Sequence, residues 1–236
     1  LDDRELRNYW ASSGATSLLP KFVDDMEMKM EYFDHCFIEC DTLETSDVVN
    51  GGAELFLYQS GYLTIKGYDD GVYILGFPNF EVRKALYQVV VPALTMKSNS
   101  EVVSAQSFLR KMMQDGNTAE AKKALKALIA DVPYSNKKMA SMDMEERYRL
   151  IMSTIFRALG FRVEVERMLA TGRIDMIVEV PSFIYVLELK LSNNGGISAA
   201  ESQIKEKSYT EPFKADKRKV IALAVELDET GKGLID

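Results

Sequence analysis

The stretch GRIDMIVEVPSFIYVLELKL, residues 172 to 191, holds two apolar runs that are separated by a Pro-Ser pair. A connection this short predicts that the runs are neighbouring antiparallel strands. Side chains alternate between the two faces of a strand, and the second run is apolar on both of its faces. That pattern is typical of a central strand in a sheet that is covered on both sides, and it predicts an α/β core.

Two charged residues, Glu188 and Lys190, interrupt the second run at positions that share one face. A buried charge costs several kcal/mol unless it is paired or binds a metal. One interpretation is a simple ion pair between the two residues, or a strand end that lies in water. The other interpretation is a functional site that needs these groups.

A third charged residue, Asp175, lies in the first run, just after Thr171-Gly172-Arg173. Antiparallel pairing would bring Asp175 close to the part of the next strand that carries Glu188 and Lys190. Carboxylate oxygens are preferred ligands of Mg²⁺, and a lysine beside such an ion can stabilise charge on a phosphoryl oxygen. The arrangement therefore indicates metal-assisted chemistry on a phosphate ester.

The spacing of Asp175, then twelve residues, then Glu188-Leu189-Lys190 resembles the D-x(n)-(D/E)-x-K signature of the PD-(D/E)XK nuclease superfamily. The blocks TGRID, IYVLELK and QIKEKSY also resemble one bacterial subgroup, in which a nuclease domain follows an AAA-ATPase-like domain. A short D-x(n)-E-x-K match arises often by chance, whereas three blocks in order and at family-like spacing are specific. Ile174 stands where the fullest motif has a proline.

The resemblance implies a restriction-endonuclease-like fold and a site for Mg²⁺ or Mn²⁺. Asp175, Glu188 and the carbonyl of Leu189 would hold the ion, and Lys190 would position the attacking water. An acid on the first helix often joins such a site, and Glu145 matches it by spacing, although its neighbour Glu146 remains an alternative. A negative charge that favours a helix N-terminus explains either acid equally well.

The third block supplies residues that the resemblance assigns to substrate binding: Gln203, Lys207 and Tyr209. Gln203 and Lys207 are four residues apart and share a helix face, so a solvated surface explains them as well. Glu166 lies nine residues before Asp175, where the subgroup also has a glutamate. Its alternative interpretation is an ion pair with Arg167 or Arg173.

Around these motifs the pattern predicts a helix (142–160), strands (161–167, 173–180 and 183–191), a helix (198–213) and a strand (219–227). This α-β-β-β-α-β order follows from periodicity and agrees with the core of the superfamily. We therefore predict a nuclease-like domain at residues 140–236. A helical connector at 96–139, with one helix that begins at Thr118 and ends at Pro133, is predicted to precede it.

Residues 1–95 are predicted to form a mostly helical, winged-helix-like domain. A helix ends near Ser60-Gly61, Asp70-Gly71 joins two alternating runs as a hairpin, and a further helix ends near Pro92. The blocks NYW, QSGYLTI and GFPNFEVR resemble the tail of the AAA-ATPase-like domain in the same subgroup. That resemblance implies an upstream ATPase-like partner domain, and the chain, which begins without methionine, is expected to be a C-terminal fragment.

No ATP site is expected in this chain, because the sequence contains no G-x-x-x-x-G-K-[ST] motif. Cys36 and Cys40 lack a second pair of ligands for structural zinc, so we interpret them as reduced thiols. The sequence has no apolar run near eighteen residues and no leader peptide, which favours a cytoplasmic protein without membrane contact.

Charge is divided unevenly along the chain. The net charge is −7, and residues 1–60 carry 4 basic and 13 acidic side chains, which leaves +2 for the remainder. The acidic first part disfavours contact with phosphates there and favours domain packing, whereas the second part can face nucleic acid. We predict a metal-dependent nuclease with DNA favoured over RNA; the alternative is a non-catalytic nuclease-fold module that regulates or binds the ATPase-like domain.

Overall fold

The computed structural model describes residues 32–45, 51–95, 97–130, 132 and 143–235. Two predicted features, the NYW block and the helix stop at Pro133, lie outside the described residues. The chain divides into two compact units, Leu1–Val90 and Val91–Asp236. No helix in the described ranges has the length and apolar character needed to cross a bilayer.

The first unit contains a three-stranded antiparallel sheet with helices before and after its hairpin. Strand β1 (Cys36–Glu39) leads directly into the short helix α1 (Cys40–Leu43), and helix α2 (Gly52–Gln59) follows. The hairpin of β2 (Thr64–Asp69) and β3 (Val72–Gly76) then precedes helix α3 (Phe80–Thr95). The strand order is β1-β3-β2.

The predicted hairpin is confirmed. Asp70 and Gly71 both have positive φ angles, 41° and 87°, as a two-residue turn between right-twisted strands requires. Strand β1 was not predicted, because a four-residue strand carries little periodicity; its residues alternate between buried and exposed and pair with β3.

Helix α3 corrects the prediction that a helix ends near Pro92. The helix continues to Thr95, with Pro92 inside it. A proline inside a helix removes one hydrogen bond, but the neighbouring Val91 and Leu94 are fully or almost fully buried, and the Thr95 hydroxyl donates to the Val91 carbonyl. Burial of these apolar side chains outweighs the lost backbone bond.

After the end of α3, the second unit continues with two helices: α4 (Asn99–Asp115) and α5 (Thr118–Ile129). Ser98 and Glu101 form a capping box at the start of α4, and Gly116 ends that helix in the left-handed conformation. Asn117 caps the start of α5. The buried Tyr185 hydroxyl donates to the Met113 carbonyl, so α4 is anchored to the sheet of this unit.

The α-β-β-β-α-β order predicted for the C-terminal part is confirmed. Helix α6 (Met144–Ala158) precedes strands β4 (Arg162–Leu169), β5 (Gly172–Glu179) and β6 (Phe183–Leu191), which are followed by helix α7 (Gly196–Glu206) and strand β7 (Lys219–Leu227). The sheet order is β4-β5-β6-β7, antiparallel except for the parallel β6–β7 pair. The described chain is thus a mixed α/β protein.

Helix α7 is shorter than predicted, because Ser208 adopts a positive φ of 54° that no α-helix contains. A separate 3₁₀ turn, Glu211–Phe213, replaces the expected continuation. The central position predicted for β6 is confirmed: Ile184 and Val186 pack in a core with Ala200 of α7, while Tyr185 on the opposite face is also fully buried.

Candidate functional site

In the sheet of the second unit, strands β5 and β6 separate at Asp175 and Glu188, two of the residues that the sequence analysis identified. Pairing between β5 and β6 runs from Glu179↔Ile184 to Met176↔Leu187 and stops there, although β6 continues to Leu191 against β7. The next opposed pair in this register would be Asp175 and Glu188. Instead, the Asp175 Oδ2 accepts a hydrogen bond from the backbone N–H of Leu189 at 2.9 Å. A side chain thus satisfies a backbone donor at the point where the strands separate.

Glu188 is the most unusual residue at this opening. Its side chain is 1% exposed, and neither carboxylate oxygen has a hydrogen-bond partner among the described residues. The Lys190 Nζ lies 3.3 Å from Oε1, which makes an ion pair without a hydrogen bond of normal geometry. A buried carboxylate in this state is destabilising unless something else compensates it.

Burial changes the protonation of both acids. It is the main reason that the pKa of Glu188 rises to about 7, and the nearby negative charge of Asp175 raises it further, against the opposing effect of Lys190. Burial also raises the pKa of Asp175, while the Leu189 N–H, Lys190 and Arg149 act in the opposite direction. The two carboxyl groups therefore interact strongly in the metal-free protein.

The structure brings Glu145 to the same end of β6. Asp143 caps α6 by accepting from the backbone N–H groups of Glu145 and Glu146, which fixes the first turn. The Glu145 Oε1 then accepts from the backbone N–H of Leu191 at 3.2 Å and lies 3.5 Å from the Asn194 amide. Glu145 raises the pKa of Asp175 and of Glu188, whereas Glu146 is exposed.

Glu166 forms an ion pair with Arg173 and not with Arg167; the sequence analysis named both as possible partners. The Arg173 Nη1 lies 2.8 Å from the Glu166 Oε1, and Arg167 instead contacts Glu164. A second partner, Arg149 of α6, was missed by the sequence reasoning: its Nη2 lies 3.1 Å from the same oxygen. A signal was available, because Arg149 follows Glu145 by four residues and so shares its helix face.

Gln203, Lys207 and Tyr209 lie where α7 ends, next to the beginning of β5. The Gln203 amide donates to the Tyr209 hydroxyl, which donates to the Arg173 carbonyl at 2.8 Å. Tyr209 is buried, and a Cβ at Gly172 would lie 2.9 Å from its hydroxyl oxygen. The Lys207 side chain is exposed. Tyr209 thus holds the beginning of β5, the strand that carries Asp175. Substrate contact through Gln203, Lys207 and Tyr209 stays a prediction.

The donor set fits a hard divalent cation, although no three His, Cys, Asp or Glu side chains in the described ranges form a ready-made metal cluster. Asp175 and Glu188 offer carboxylate oxygens, and those of Glu188 have no other hydrogen-bond partner in the described part of the chain. The predicted third ligand, the Leu189 carbonyl, belongs to the residue whose N–H holds Asp175. Oxygen donors of this kind are the ones that Mg²⁺ and Mn²⁺ select.

Comparison with known protein families gives a match in the same part of the chain. Residues 143–234 match the family model described as the PD-(D/E)XK nuclease superfamily. That range contains α6, the four-stranded sheet and every predicted site residue. A PD-(D/E)XK nuclease superfamily domain therefore occupies this part of the chain.

A curated relative covers more of the sequence. The chain is 24% identical over 246 residues to the "Uncharacterized protein in vnfD 5'region" of Azotobacter chroococcum mcd 1. The similarity covers 98% of this chain and 46% of the relative, so the chain spans about half the length of that protein. No solved structure matches the chain significantly.

Proposed function

We propose that this PD-(D/E)XK domain hydrolyses phosphodiester bonds of nucleic acid with a divalent metal ion. One observation carries the proposal: the buried Glu188 carboxylate has no hydrogen-bond partner among the described residues and stands beside Asp175 and Lys190. A protein that used these residues only for stability would be better served by apolar side chains of the same volume. A bound divalent ion neutralises the two carboxylates and so compensates the free-energy cost of burying them.

Members of this superfamily typically use divalent metals. In the proposed site Asp175, Glu188 and the Leu189 carbonyl hold Mg²⁺ or Mn²⁺, with Glu145 close enough to add negative charge. The ion supplies a Lewis acid for the phosphoryl group and lowers the pKa of water. Glu145 is held through the Leu191 N–H, which keeps its carboxylate at the edge of the site.

Lys190 has the properties of the catalytic lysine in this proposal. Its side chain is 17% exposed, against 1% for Glu188, so the ammonium lies between the buried acid and the solvent. From this position it can orient a water molecule and stabilise charge that develops on a phosphoryl oxygen. These tasks need a permanent positive charge close to both the acids and the substrate.

The proposed substrate is nucleic acid, with DNA favoured over RNA. Residues 197–219 carry six basic and four acidic side chains, while residues 1–60 are strongly acidic. We propose that Gln203, Lys207 and Tyr209 support substrate binding, with the exposed Lys207 as the group that meets a phosphate. Phosphate contacts by such cations supply most of the affinity of many nucleic-acid-binding proteins.

A second function remains open: a non-catalytic nuclease-fold module that binds or regulates an upstream ATPase-like domain. It is favoured by the weak basic character of the second part of the chain, where residues 197–219 carry only two more basic than acidic side chains. Under this reading residues 1–95 are the winged-helix-like end of that ATPase-like region, and the chain acts in the bacterial cytoplasm. Mg²⁺ or Mn²⁺ binding without cleavage of any nucleic acid would favour it.

A nuclease assay tests the proposal directly. Wild-type protein is incubated with supercoiled, linear and single-stranded DNA and with RNA, in Mg²⁺, in Mn²⁺ and in EDTA. We expect metal-dependent cleavage that disappears in Asp175→Asn and persists in Asp69→Asn, a matched change at an exposed acid of β2. Cleavage in EDTA, or unchanged cleavage by Asp175→Asn, would contradict the proposed function.

A further inference from the structure

Arg149 joins two acids that lie on different strands. Its Nη2 is 3.1 Å from the Glu166 Oε1, and its Nη1 is 3.7 Å from the Asp175 Oδ1. The side chain is only 13% exposed. A planar guanidinium with two separate nitrogens can face both carboxylates at once, which an ammonium cannot do in the same geometry.

The two carboxylate oxygens of Asp175 contact different partners. One oxygen, Oδ2, is fixed by the Leu189 N–H at 2.9 Å, and the other, Oδ1, faces Arg149. The contact of 3.7 Å is an ion pair and is longer than a hydrogen bond. Arg149 therefore contacts Oδ1 by charge, without a hydrogen bond that would occupy its lone pairs.

Glu166 adopts a strained backbone at the position that faces Asp175 in the sheet. The β4–β5 register pairs Val165↔Met176 and Arg167↔Ile174, and the intervening pair, Glu166 and Asp175, is skipped. Glu166 has a φ of 54°, a left-handed conformation that costs a non-glycine residue about 1 to 2 kcal/mol. Such strain persists where surrounding contacts hold it, here two arginines on one carboxylate oxygen.

We propose that Arg149, held by Glu166, is a positioning residue that sets the orientation of Asp175 for metal binding. This inference rests on the proposed function, because it concerns the same site. Glu166 carries one negative charge against both Arg149 and Arg173, so it offsets only part of the positive charge that Arg149 places beside Asp175. Groups that orient metal ligands typically change metal affinity by about 10- to 100-fold when they are removed.

Titration calorimetry with Mn²⁺ tests this role without requiring catalysis. We expect Arg149→Met to weaken Mn²⁺ binding by about tenfold or more, and Glu166→Gln to weaken it as well. Because the two residues act as one unit, the double variant should bind no more weakly than the weaker single variant. Arg149→Lys keeps the charge but cannot face both acids, so it should restore only part of the affinity.

Glu164→Gln is the matched control, since it breaks the neighbouring Glu164–Arg167 pair on the same strand. Mn²⁺ affinity should not change in this variant. Melting temperatures in EDTA identify variants that fail to fold, and if Arg149→Met is one of them, Arg149→Lys and Glu166→Gln decide the question. Unchanged or tighter Mn²⁺ binding in folded Arg149→Met and Glu166→Gln proteins would overturn the inference.

The two proposals can fail separately. A wild-type protein that binds Mn²⁺ but cleaves no nucleic acid contradicts the nuclease proposal, and the titration of the Arg149 variants still decides the positioning role. A wild-type protein that cleaves nucleic acid, with Mn²⁺ affinity unaffected by Arg149→Met, contradicts the positioning role alone. A wild type that binds no Mn²⁺ overturns both.

Discussion

The Lys190 ammonium lies 3.3 Å from a Glu188 oxygen, and the two residues share one face of β6 because they are two apart on a strand. This pair can be read as structural or as catalytic, and the two readings differ in what happens when the lysine is removed. A structural partner mainly affects stability, whereas a catalytic lysine mainly affects rate.

Lys190→Met separates these readings. Removal of one partner from a buried ion pair costs about 3 to 5 kcal/mol when the other charge stays unpaired. With a bound divalent ion that neutralises the acids, we expect a much smaller loss of stability and the loss of most cleavage. Melting temperatures with and without Mn²⁺, together with cleavage rates, provide the measurement.

Lys111→Met, at an exposed position of α4, is the control for Lys190→Met and should change neither quantity. Wild-type cleavage by a folded Lys190→Met protein would remove the catalytic role of the lysine. A large loss of stability that Mn²⁺ does not reduce would favour the purely structural reading.

The raised pKa of Glu188 predicts how the stability of the metal-free protein depends on pH. The folded-state value is about 7 and the ordinary value is 4.5, so the folded protein holds a proton between these pH values that the unfolded chain releases. The free energy of unfolding should therefore fall as the pH rises from about 4.5 to about 7. Below that window this group contributes no pH dependence.

Denaturant unfolding in EDTA at several pH values measures this effect. Glu188→Gln should flatten the slope without abolishing it, because Asp175 also has a raised pKa and acts in the same direction. Glu201→Gln, at an exposed acid of α7, should leave the slope as in wild type. An identical slope in Glu188→Gln and wild type would show that Glu188 titrates normally.

Metal binding should stabilise the protein through the same residues. An ion that binds only the folded state adds about 2.7 kcal/mol at a concentration 100 times its Kd. Millimolar Mn²⁺ should thus raise the melting temperature of wild type and leave that of Glu188→Ala unchanged. Equal shifts in both proteins, measured by thermal unfolding, would place the metal elsewhere.

Much of the C-terminal fold could be predicted because its signals are local. The two-faced apolar pattern of β6 identified a central strand, and the short Pro181-Ser182 connection identified its antiparallel neighbour. The placement of Asp175, Glu188 and Lys190 near one another followed from these two features. The family motif then added Glu145, which the structure brings to the end of β6.

The features that escaped prediction depend on contacts between distant residues. Arg149 meets Glu166 and Asp175 through tertiary packing; its spacing from Glu145 indicates the helix face but not the two acids that it contacts. Strand β1 exists because it pairs with β3, some 36 residues away. Helix α3 continues through Pro92 because the apolar residues next to the proline are buried. Local helix propensity does not include the free energy gained by that burial.

Gly71→Ala should destabilise the first unit. A Cβ at Gly71 would meet no atom within 4 Å, so the cost comes from the backbone alone, at a φ of 87°. We expect a loss of about 1 to 2 kcal/mol in the free energy of unfolding. Asp70→Asn is the control, because asparagine tolerates the left-handed conformation and should be nearly neutral. Equal stability of Gly71→Ala and wild type would contradict the turn.

The last prediction concerns which part of the chain meets the substrate. Lys207 is exposed at the end of α7, and its Cδ would lie 3.5 Å from a Cβ at Gly172, so the side chain lies near the beginning of β5. Lys66, in the hairpin of the first unit, lies within 3.4 Å of the Pro78 carbonyl and among acidic residues.

If phosphates bind near α7, the slope of log affinity against log salt should reflect a few contacts, at roughly 0.7 to 0.9 per phosphate neutralised. Fluorescence anisotropy with labelled DNA, in Ca²⁺ or EDTA to prevent cleavage, should therefore show weaker binding and a slope lower by about one contact in Lys207→Ala. Lys66→Ala should change neither quantity, and the reverse pattern would mean that the first unit carries the nucleic-acid-binding surface.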